Sequence, residues 1–230
     1  MKQKLIVLTG AGMSAESGVR TFRDSDGLWE EHRVEDVATP EAFARNPKLV
    51  MRFYNQRRAQ LKTVRPNRGH QLLAELEAYF DVRIITQNID NLHERAGSSQ
   101  IVHLHGELTK VRSIHNPQLI YDWPGDLALT DTNEQGHPLR PHIVWFGEQV
   151  PMLEVAANLV AQANIVVIIG TSMQVYPAAG LVEYAPLQAP VYYIDPKPNV
   201  NNELSRRREL HLIQKGASEG VAELRELLLE

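Results

Sequence analysis

The sequence contains no cysteine among its 230 residues. The protein therefore forms no disulfide bond, has no cysteine nucleophile and cannot hold a metal ion through thiolates. Any catalytic site has to be built from histidine, carboxylate, hydroxyl and amide side chains.

The chain also lacks a long hydrophobic run and an excess of positive charge. No apolar stretch approaches the roughly 20 residues of a membrane-spanning helix, and Met1-Lys2-Gln3-Lys4 leads straight into a strand-like run. With 24 Lys and Arg against 28 Asp and Glu, the formal net charge is -4. This balance disfavours broad binding to nucleic acid or to anionic membranes. We therefore expect a cytoplasmic protein, monomeric by default, with neither nucleic-acid nor membrane partners.

A glycine-containing turn follows the first apolar run, Leu5-Ile6-Val7-Leu8. A buried strand that leads through glycines into a helix can present backbone N–H groups to a pyrophosphate. The spacing from Gly10 to Gly18 is G-x-G-x5-G, which differs from the G-x-G-x-x-G of an ordinary dinucleotide-binding turn. The glycines alone leave a nucleotide site and a tight structural turn equally open.

Four apolar runs predict buried parallel strands, with helical patterning between them: 4–9, 82–86, 165–170 and 191–194. This alternation predicts an α/β fold with a Rossmann-like, doubly wound parallel sheet. Ligands of such sheets bind beyond the carboxyl ends of the strands. The residues at those ends are all polar or glycine: Thr9-Gly10, Thr86-Gln87-Asn88, Gly170-Thr171-Ser172 and Asp195.

Two stretches interrupt the alternation and predict a small domain built from insertions. The first, about 31–68, has helical periodicity, and the second, about 113–141, is rich in turn-forming residues. The main domain would then comprise about 1–30, 69–112 and 142–230.

Three further segments carry candidate functional side chains. The run from Thr86 to His93 offers amides and a carboxylate to a ribose or a carboxamide, although helix capping by Asn88 or Asp90 is an alternative. His103 and His105 share one face of a short strand, and a histidine at a strand end beside Gly106 is well placed as a general base, or is structural. The apolar run 139–148 could pack in the core or pair with an extended peptide.

Together these motifs resemble those of the sirtuins, the NAD-dependent protein lysine deacylases. The matching stretches occur in the same order along nearly the whole chain: GAGMSAESG (10–18), FR (22–23), TQNID (86–90), HG (105–106), RPHIVWFGE (140–148) and GTSMQVYPAAG (170–180). The resemblance implies a Rossmann-like domain plus a small domain formed by two insertions. It also implies NAD as cofactor and acyl-lysine proteins or peptides as substrates.

The resemblance further implies roles for individual residues, with His105 as the general base. The implied cofactor-binding residues are Gly10, Ala11, Gly12, Phe22, Arg23, Gln87, Asn88, Ile89, Asp90, Gly170, Thr171, Ser172, Asp195 and Ala217. The implied substrate-binding residues are Val144, Phe146, Gly147, Glu148 and Val175. The implied reaction releases nicotinamide and transfers the acyl group to ADP-ribose. The alternatives are an NAD or ADP-ribose sensor without turnover, and an NAD hydrolase or ADP-ribosyltransferase.

The chain departs from the family pattern at two points. Most sirtuins carry four zinc-binding cysteines in the second insertion, whereas Ser113 stands where the first would fall. A replacement site would have to draw on His115, His137, Asp122, Asp126 or Asp131, in spacings unlike common zinc sites, so we predict no metal. The insertion would instead be stabilised by an apolar cluster of Leu119, Ile120, Tyr121, Trp123 and Leu127.

Asp195 stands where relatives usually have Asn, which favours NAD over NADP because a carboxylate repels a 2′-phosphate.

Tyr54 and Arg57 lie three residues apart in the first insertion and would share one face of a helix. Periodicity alone favours an ordinary amphipathic helix with a solvated arginine. The Tyr-x-x-Arg pair, however, resembles that of the sirtuin branch that removes succinyl and malonyl groups. Because Arg can bind a carboxylate through two parallel hydrogen bonds, we predict a desuccinylase and demalonylase that also deacetylates.

Overall fold

The computed structural model describes residues 2–19, 28–29 and 32–230. Its strands, in chain order, are β1 (Lys4–Thr9), β2 (Leu28–Trp29), β3 (His32–Arg33), β4 (Asp81–Thr86), β5 (Ile101–His103), β6 (Gly106–Ser113), β7 (Ile120–Asp122), β8 (Leu139–Ile143), β9 (Ile165–Ile169), β10 (Val191–Ile194) and β11 (Leu210–Ile213). Its helices are α1 (Gly12–Ala15), α2 (Val34–Val37), α3 (Pro40–Arg45), α4 (Pro47–Thr63), α5 (Arg68–Leu76), α6 (Leu92–Ala96), α7 (Leu153–Val160), α8 (Asn202–Ser205) and α9 (Ala217–Leu229), with a 3₁₀ helix at Ala178–Tyr184. Among these described residues, no helix is both long and apolar enough to cross a membrane.

A six-stranded parallel sheet forms the centre, in the order β11-β10-β9-β1-β4-β5. The predicted Rossmann-like parallel sheet is thus confirmed, and the sequence pattern missed β11 at its edge. The chain proceeds from β1 towards β4 on one side and later returns through β9 on the other. The direction of winding therefore reverses beside β1, which is where ligands bind in sheets of this kind.

The β1 strand shows why this sheet is covered on both faces. Leu5 and Val7 pack into one apolar cluster with residues of α5 and α9, whereas Ile6 and Leu8 pack into another with residues of α7 and the 3₁₀ helix. Successive side chains of a strand point to opposite faces, so an uninterrupted apolar run buries both. Only the ends of the strands remain for polar chemistry.

The first insertion is helical, as its periodicity predicts. The Thr39 hydroxyl accepts a hydrogen bond from the Ala42 N–H at the start of α3, with a donor to acceptor distance of 3.0 Å. A third apolar cluster joins this insertion to β8 and the segment after it, and includes Phe53, Tyr54 and Trp145. Helix α4 thereby lies against the segment that follows β8.

The second insertion is more regular than its turn-rich sequence suggests. It contributes to a three-stranded antiparallel sheet in the order β7-β6-β8, because the turn-forming residues lie between the strands. The predicted apolar cluster is only partly correct. Leu127 is buried with Tyr121 and Trp123 against it, but Ile120 is 43% exposed on the edge strand β7. Met51, Val111 and Leu139 supply the rest of that cluster.

Candidate active site

The turns after β1 and β9 are in direct backbone contact. The Gly10 N–H donates to the Ile169 carbonyl at 3.0 Å and the Gly12 N–H to the Gly170 carbonyl at 2.8 Å. A Cβ atom on Gly12 would lie 2.6 Å from the Gly170 Cα, closer than atoms can approach. Gly170 itself has a φ of +61°, which favours glycine. The glycines are therefore needed for the two turns to meet, and Ala11 lies between them.

A buried polar network adjoins the glycine turn. The Ser14 hydroxyl donates to the Asp90 carboxylate at 2.9 Å and accepts from the Asn88 side-chain amide at 3.2 Å. Burial raises the pKa of Asp90, and hydrogen bonds from the Leu92 N–H and Ser14 partly offset that effect. Ser14 was not among the predicted site residues. Its only sequence signal is a hydroxyl two positions after the second glycine.

Gln87 connects the ends of β4 and β9, and its backbone supports the predicted base. Its side-chain amide donates to the Thr171 hydroxyl at 3.1 Å, and its carbonyl lies 3.1 Å from Nδ1 of His105. Because a carbonyl can only accept, Nδ1 carries the proton and Nε2 carries the lone pair. Burial lowers the pKa of His105. A neutral imidazole with an unprotonated Nε2 is the form that a general base requires.

Three other predicted cofactor residues lie at the ends of β9 and β10 and at the start of α9. Asp195 is buried, and its carboxylate accepts a hydrogen bond from the Lys197 N–H at 2.8 Å. The Ser172 carbonyl accepts from the Asn199 side chain at 3.2 Å. Ala217 begins α9. At this helix start, the side chain of Glu16 accepts a hydrogen bond from the Ser218 N–H at 3.1 Å, and Glu16 itself lies four residues after Gly12 in the glycine segment.

The segment after β8 runs beside the predicted base. The Val144 N–H donates to the His105 carbonyl at 2.9 Å, and the Phe146 N–H donates to the Ala38 carbonyl at 3.0 Å. The Phe146 side chain is 50% exposed, and Gly147 adopts a φ of +88°. These contacts fix the path of the backbone while the Phe146 ring faces solvent.

Glu148, predicted to border the substrate, is held by the fold. Its carboxylate accepts hydrogen bonds from Arg112 at 3.1 Å, from Arg140 at 2.7 Å and from the Trp145 N–H at 2.8 Å. Burial alone would raise the pKa of Glu148, but these donors outweigh it and hold the pKa below its usual range. Glu148 therefore shapes the 144–148 loop from its inner side.

Tyr54 and Arg57 occupy different environments on α4. Tyr54 is fully buried, and its hydroxyl oxygen accepts from the Trp145 indole N–H at 3.0 Å. Burial raises the pKa of this phenol, so it stays protonated. Arg57 is half-buried, with its guanidinium carbon 5.0 Å from the centre of the Phe53 ring. The neighbouring Arg58 instead donates to the Leu108 carbonyl and to the Asn55 side chain.

Within the part of the chain that the structure describes, the five residues considered as replacement zinc ligands in the second insertion form no group of three that is close enough to share an ion. One group of three histidine and acidic side chains is close enough to share an ion, namely Glu94, His103 and Glu107. Both ring nitrogens of His103 already face oxygen atoms, which leaves this histidine no lone pair for a metal. Two other expected cofactor residues, Phe22 and Arg23, lie outside the described residues.

Comparison with known proteins assigns this arrangement to a family. The model of the Sir2 family matches residues 10–177. A Bacteroides thetaiotaomicron protein is 59% identical over 99% of this chain and 98% of its own length, and a Helicobacter pylori protein is 58% identical over 85% of each. Both relatives bear the name NAD-dependent protein deacylase.

Solved structures agree with the sequence matches. A mutant Sir2 homologue in complex with ADP-ribose superimposes with a TM-score of 0.86 at 36% identity, covering 99% of this chain and 94% of that one. A Sir2 homologue in complex with NAD gives a TM-score of 0.83 at 37% identity, covering 99% and 91%. The chain belongs to the Sir2 family, and the predicted resemblance to the sirtuins is confirmed. The two relatives described above are both bacterial deacylases by name.

Proposed function

We propose that this chain removes acyl groups that end in a carboxylate, succinyl and malonyl, from lysine side chains of proteins, with deacetylation as a second activity. The broader activity follows from the family and its close relatives: the chain is an NAD-dependent protein deacylase. The observation that carries the finer proposal is the half-buried Arg57, whose guanidinium carbon lies 5.0 Å from the centre of the Phe53 ring, three residues along α4 from Tyr54.

The residues at the strand ends fit NAD by their chemistry. The close-packed glycine turns would lie against the pyrophosphate, with Gly10, Ala11 and Gly12 on one side. The remaining positions are proposed as follows: Gln87 and Asn88 for a ribose, Ile89 and Asp90 for the nicotinamide, and Gly170, Thr171, Ser172, Asp195 and Ala217 for the adenosine side. When bound, NAD would supply the ribose that accepts the acyl group, so that the products are nicotinamide, 2′-O-acyl-ADP-ribose and the unmodified lysine.

His105 would accept a proton at Nε2 during the transfer. The Gln87 carbonyl holds the ring in the required tautomer, and burial keeps it neutral at pH 7. The backbone bond from Val144 to the His105 carbonyl ties the base to the proposed substrate segment. This arrangement would place the acyl-lysine beside the imidazole.

The acyl preference follows from how Arg57 is held. Contact with the Phe53 ring restrains the guanidinium of Arg57, and the planar fork of N–H groups on an arginine matches the two oxygens of a carboxylate. Tyr54 is proposed as the second residue of this acyl pocket, with its hydroxyl positioned by the Trp145 indole N–H. An acetyl group has no carboxylate and would gain from neither residue.

The peptide backbone would be bound between two extended segments. Val144, Phe146 and Gly147 would contribute one side and Val175 the other, with Glu148 supporting the first from within. Main-chain pairing gives affinity with little dependence on the flanking side chains. We therefore propose acyl-lysine in many sequence contexts as the substrate.

We also propose a two-part organisation that functions without zinc. The parallel sheet and its helices would form the nucleotide-binding part, about 1–30, 69–112 and 142–230. The insertions 31–68 and 113–141 would form the small part, held by apolar packing and hydrogen-bonded turns. Ser113 accepts from the His115 and Asn116 N–H groups, and Asn133 accepts from those of Gln135 and His137.

Replacement of Arg57 by Met tests the acyl preference. Because the guanidinium would bind only a carboxylate, we expect kcat/KM for a succinyl-lysine peptide to fall about tenfold to hundredfold, while that for the matched acetyl peptide changes by less than about threefold. Arg52→Met is the matched control, since Arg52 is exposed on the same helix. Equal losses with both peptides would show that Arg57 does not read the acyl group.

A further inference from the structure

Two histidines on one short stretch of chain contact the same polar loop. His103 ends β5, with Nδ1 2.9 Å from the Asn88 carbonyl oxygen and Nε2 2.7 Å from a carboxylate oxygen of Glu94. His105 contacts the adjacent Gln87 carbonyl through Nδ1. The His103 side chain is only 8% exposed, so water cannot replace either of its partners easily.

The partners of His103 determine its protonation state. A carbonyl oxygen and an ionised carboxylate oxygen can only accept hydrogen bonds, so each ring nitrogen has to donate. An imidazole with protons on both nitrogens is an imidazolium cation. His105 differs because only its Nδ1 faces such an oxygen, and that single contact needs no charge.

We propose that His103, held as an imidazolium by Glu94, is a positioning residue that fixes the Asn88 backbone and thereby sets the nucleotide-binding loop 87–90. The Asn88 side chain reaches Ser14, which in turn reaches Asp90, so displacement of the Asn88 carbonyl would disturb the whole network. The proposal rests on the proposed role of Asn88 in binding NAD. It assigns His103 no contact with the reacting atoms.

The charges around His103 support the cation. Glu94 on α6 and Glu107 on β6 have side-chain oxygens within 4.8 Å of it, and the buried Asp90 also interacts with it electrostatically. Lys110 pairs with Glu107 at 2.8 Å and moderates that charge, while His93 is neutral because burial lowers its pKa. Burial opposes the charge on His103, but Glu94 and the Asn88 carbonyl outweigh it, so the pKa of His103 is raised.

The pH dependence follows from that raised pKa. The cation persists above the usual histidine pKa of about 6.5 and is lost as pH rises through the raised pKa of His103. The loop would then lose one of its anchors, and affinity for the nucleotide would fall on the alkaline side. Loss of activity on the acid side belongs instead to His105, whose pKa is lowered.

Nuclear magnetic resonance of 15N-histidine-labelled protein tests the charge directly. We expect both ring nitrogens of His103 to be protonated at pH 7, whereas His105 carries its proton on Nδ1 alone. A neutral His103 at pH 7 would overturn the proposal. This measurement uses the wild-type chain and does not depend on whether a variant folds.

Calorimetric titration with ADP-ribose tests the positioning role without any acyl peptide. We expect His103→Gln and Glu94→Gln to weaken ADP-ribose binding about tenfold at pH 7. In steady-state kinetics, both substitutions should raise the KM for NAD and leave kcat nearly unchanged. Wild-type affinity should decline as pH rises, and that of His103→Gln should not. His211→Gln is the matched control, because His211 pairs with Glu209 at 3.0 Å on the edge strand β11.

The Asn88→Ala variant distinguishes the proposed nucleotide site from the proposed positioning role of His103. If Asn88→Ala leaves ADP-ribose binding unchanged, the proposed nucleotide site is wrong. If Asn88→Ala weakens binding but His103→Gln does not, the positioning role of His103 is overturned while the nucleotide site stands.

Discussion

The hydrogen bond from His105 to the Gln87 carbonyl determines which nitrogen can act as a base. Since burial lowers the His105 pKa, the neutral form persists below the usual histidine pKa of about 6.5. We expect kcat/KM for deacylation to remain high down to that value and to fall as pH drops through the lowered pKa. A pH–rate profile measures this. An acid limb above pH 6.5 would contradict the assignment.

Loss of the imidazole should abolish most of the chemistry. For His105→Ala we expect deacylation to fall by about two to four orders of magnitude while ADP-ribose binding remains, because general base catalysis supplies rate rather than affinity. A proportionate loss of ADP-ribose binding would mean that the variant has disturbed the loop instead.

Asp195 bears on the choice between NAD and NADP. Its buried carboxylate lies at the end of β10, and a 2′-phosphate brought near it would meet like charge. We expect kcat/KM to be much higher with NAD than with NADP, and Asp195→Asn should reduce the ratio of the two values. Comparable kinetic constants with both nucleotides would refute this placement of the adenosine ribose.

At the scale of elements, two side chains close turns in the second insertion, where the sirtuin resemblance led us to look for zinc-binding cysteines. Ser113 and Asn133 each accept two backbone N–H groups, and the His115 and His137 rings that follow them lie 5.0 Å apart. Four hydrogen bonds thus close these two loops. Both loops meet beside the sheet formed by β6, β7 and β8.

Removal of metal ions should therefore leave the protein unaffected, whereas substitution of the residues that close the two loops should destabilise it. We expect EDTA to leave deacylation and the unfolding temperature unchanged, whereas Asn133→Ala and Ser113→Ala should each cost about 1 to 2 kcal/mol of unfolding free energy, since both side chains are buried and each accepts two backbone N–H groups. Thr130→Ala, at an exposed position of the same insertion, is the control. Inactivation by EDTA that zinc reverses would refute zinc-independence.

The elements differ in how far the sequence predicts them. The strands β1, β9 and β10 have continuous apolar runs, so their burial is evident from the residues alone. The edge strand β11, Leu210–Ile213, and the short strand β7 are half exposed and carry no such run. Their existence depends on a neighbouring strand that local sequence does not reveal.

The residues of the site also differ in how far the sequence predicts their roles. Glycines, amides and histidines mark positions such as Gly12, Asn88 and His105 because few other side chains suit them. Glu148 could be assigned to the substrate by motif, but its two arginine partners lie on β6 and β8, which only the folded chain brings together. The roles of Ser14 and His103 likewise depend on contacts with residues from other parts of the chain.

For the whole molecule, Glu148 joins the small sheet to the proposed substrate loop. Its lowered pKa means that the carboxylate contributes stability fully above the unfolded value of about 4.3, and loses it as pH falls through the folded value. We expect Glu148→Gln to cost about 2 kcal/mol in unfolding free energy at pH 7 and less near pH 3. Denaturant titrations at the two pH values measure the difference, and an equal cost at both would contradict it.

The central position of β1 also affects how the chain is made. Leu5 pairs with Val82 on one side and with Ile165 on the other. During synthesis, β1 leaves the ribosome well before β9, so one of its edges has no partner until β9 has followed. Pairing between such distant segments slows folding and leaves an apolar edge open to other chains. Chaperone demand during translation should therefore be concentrated on nascent chains that have not yet reached β9.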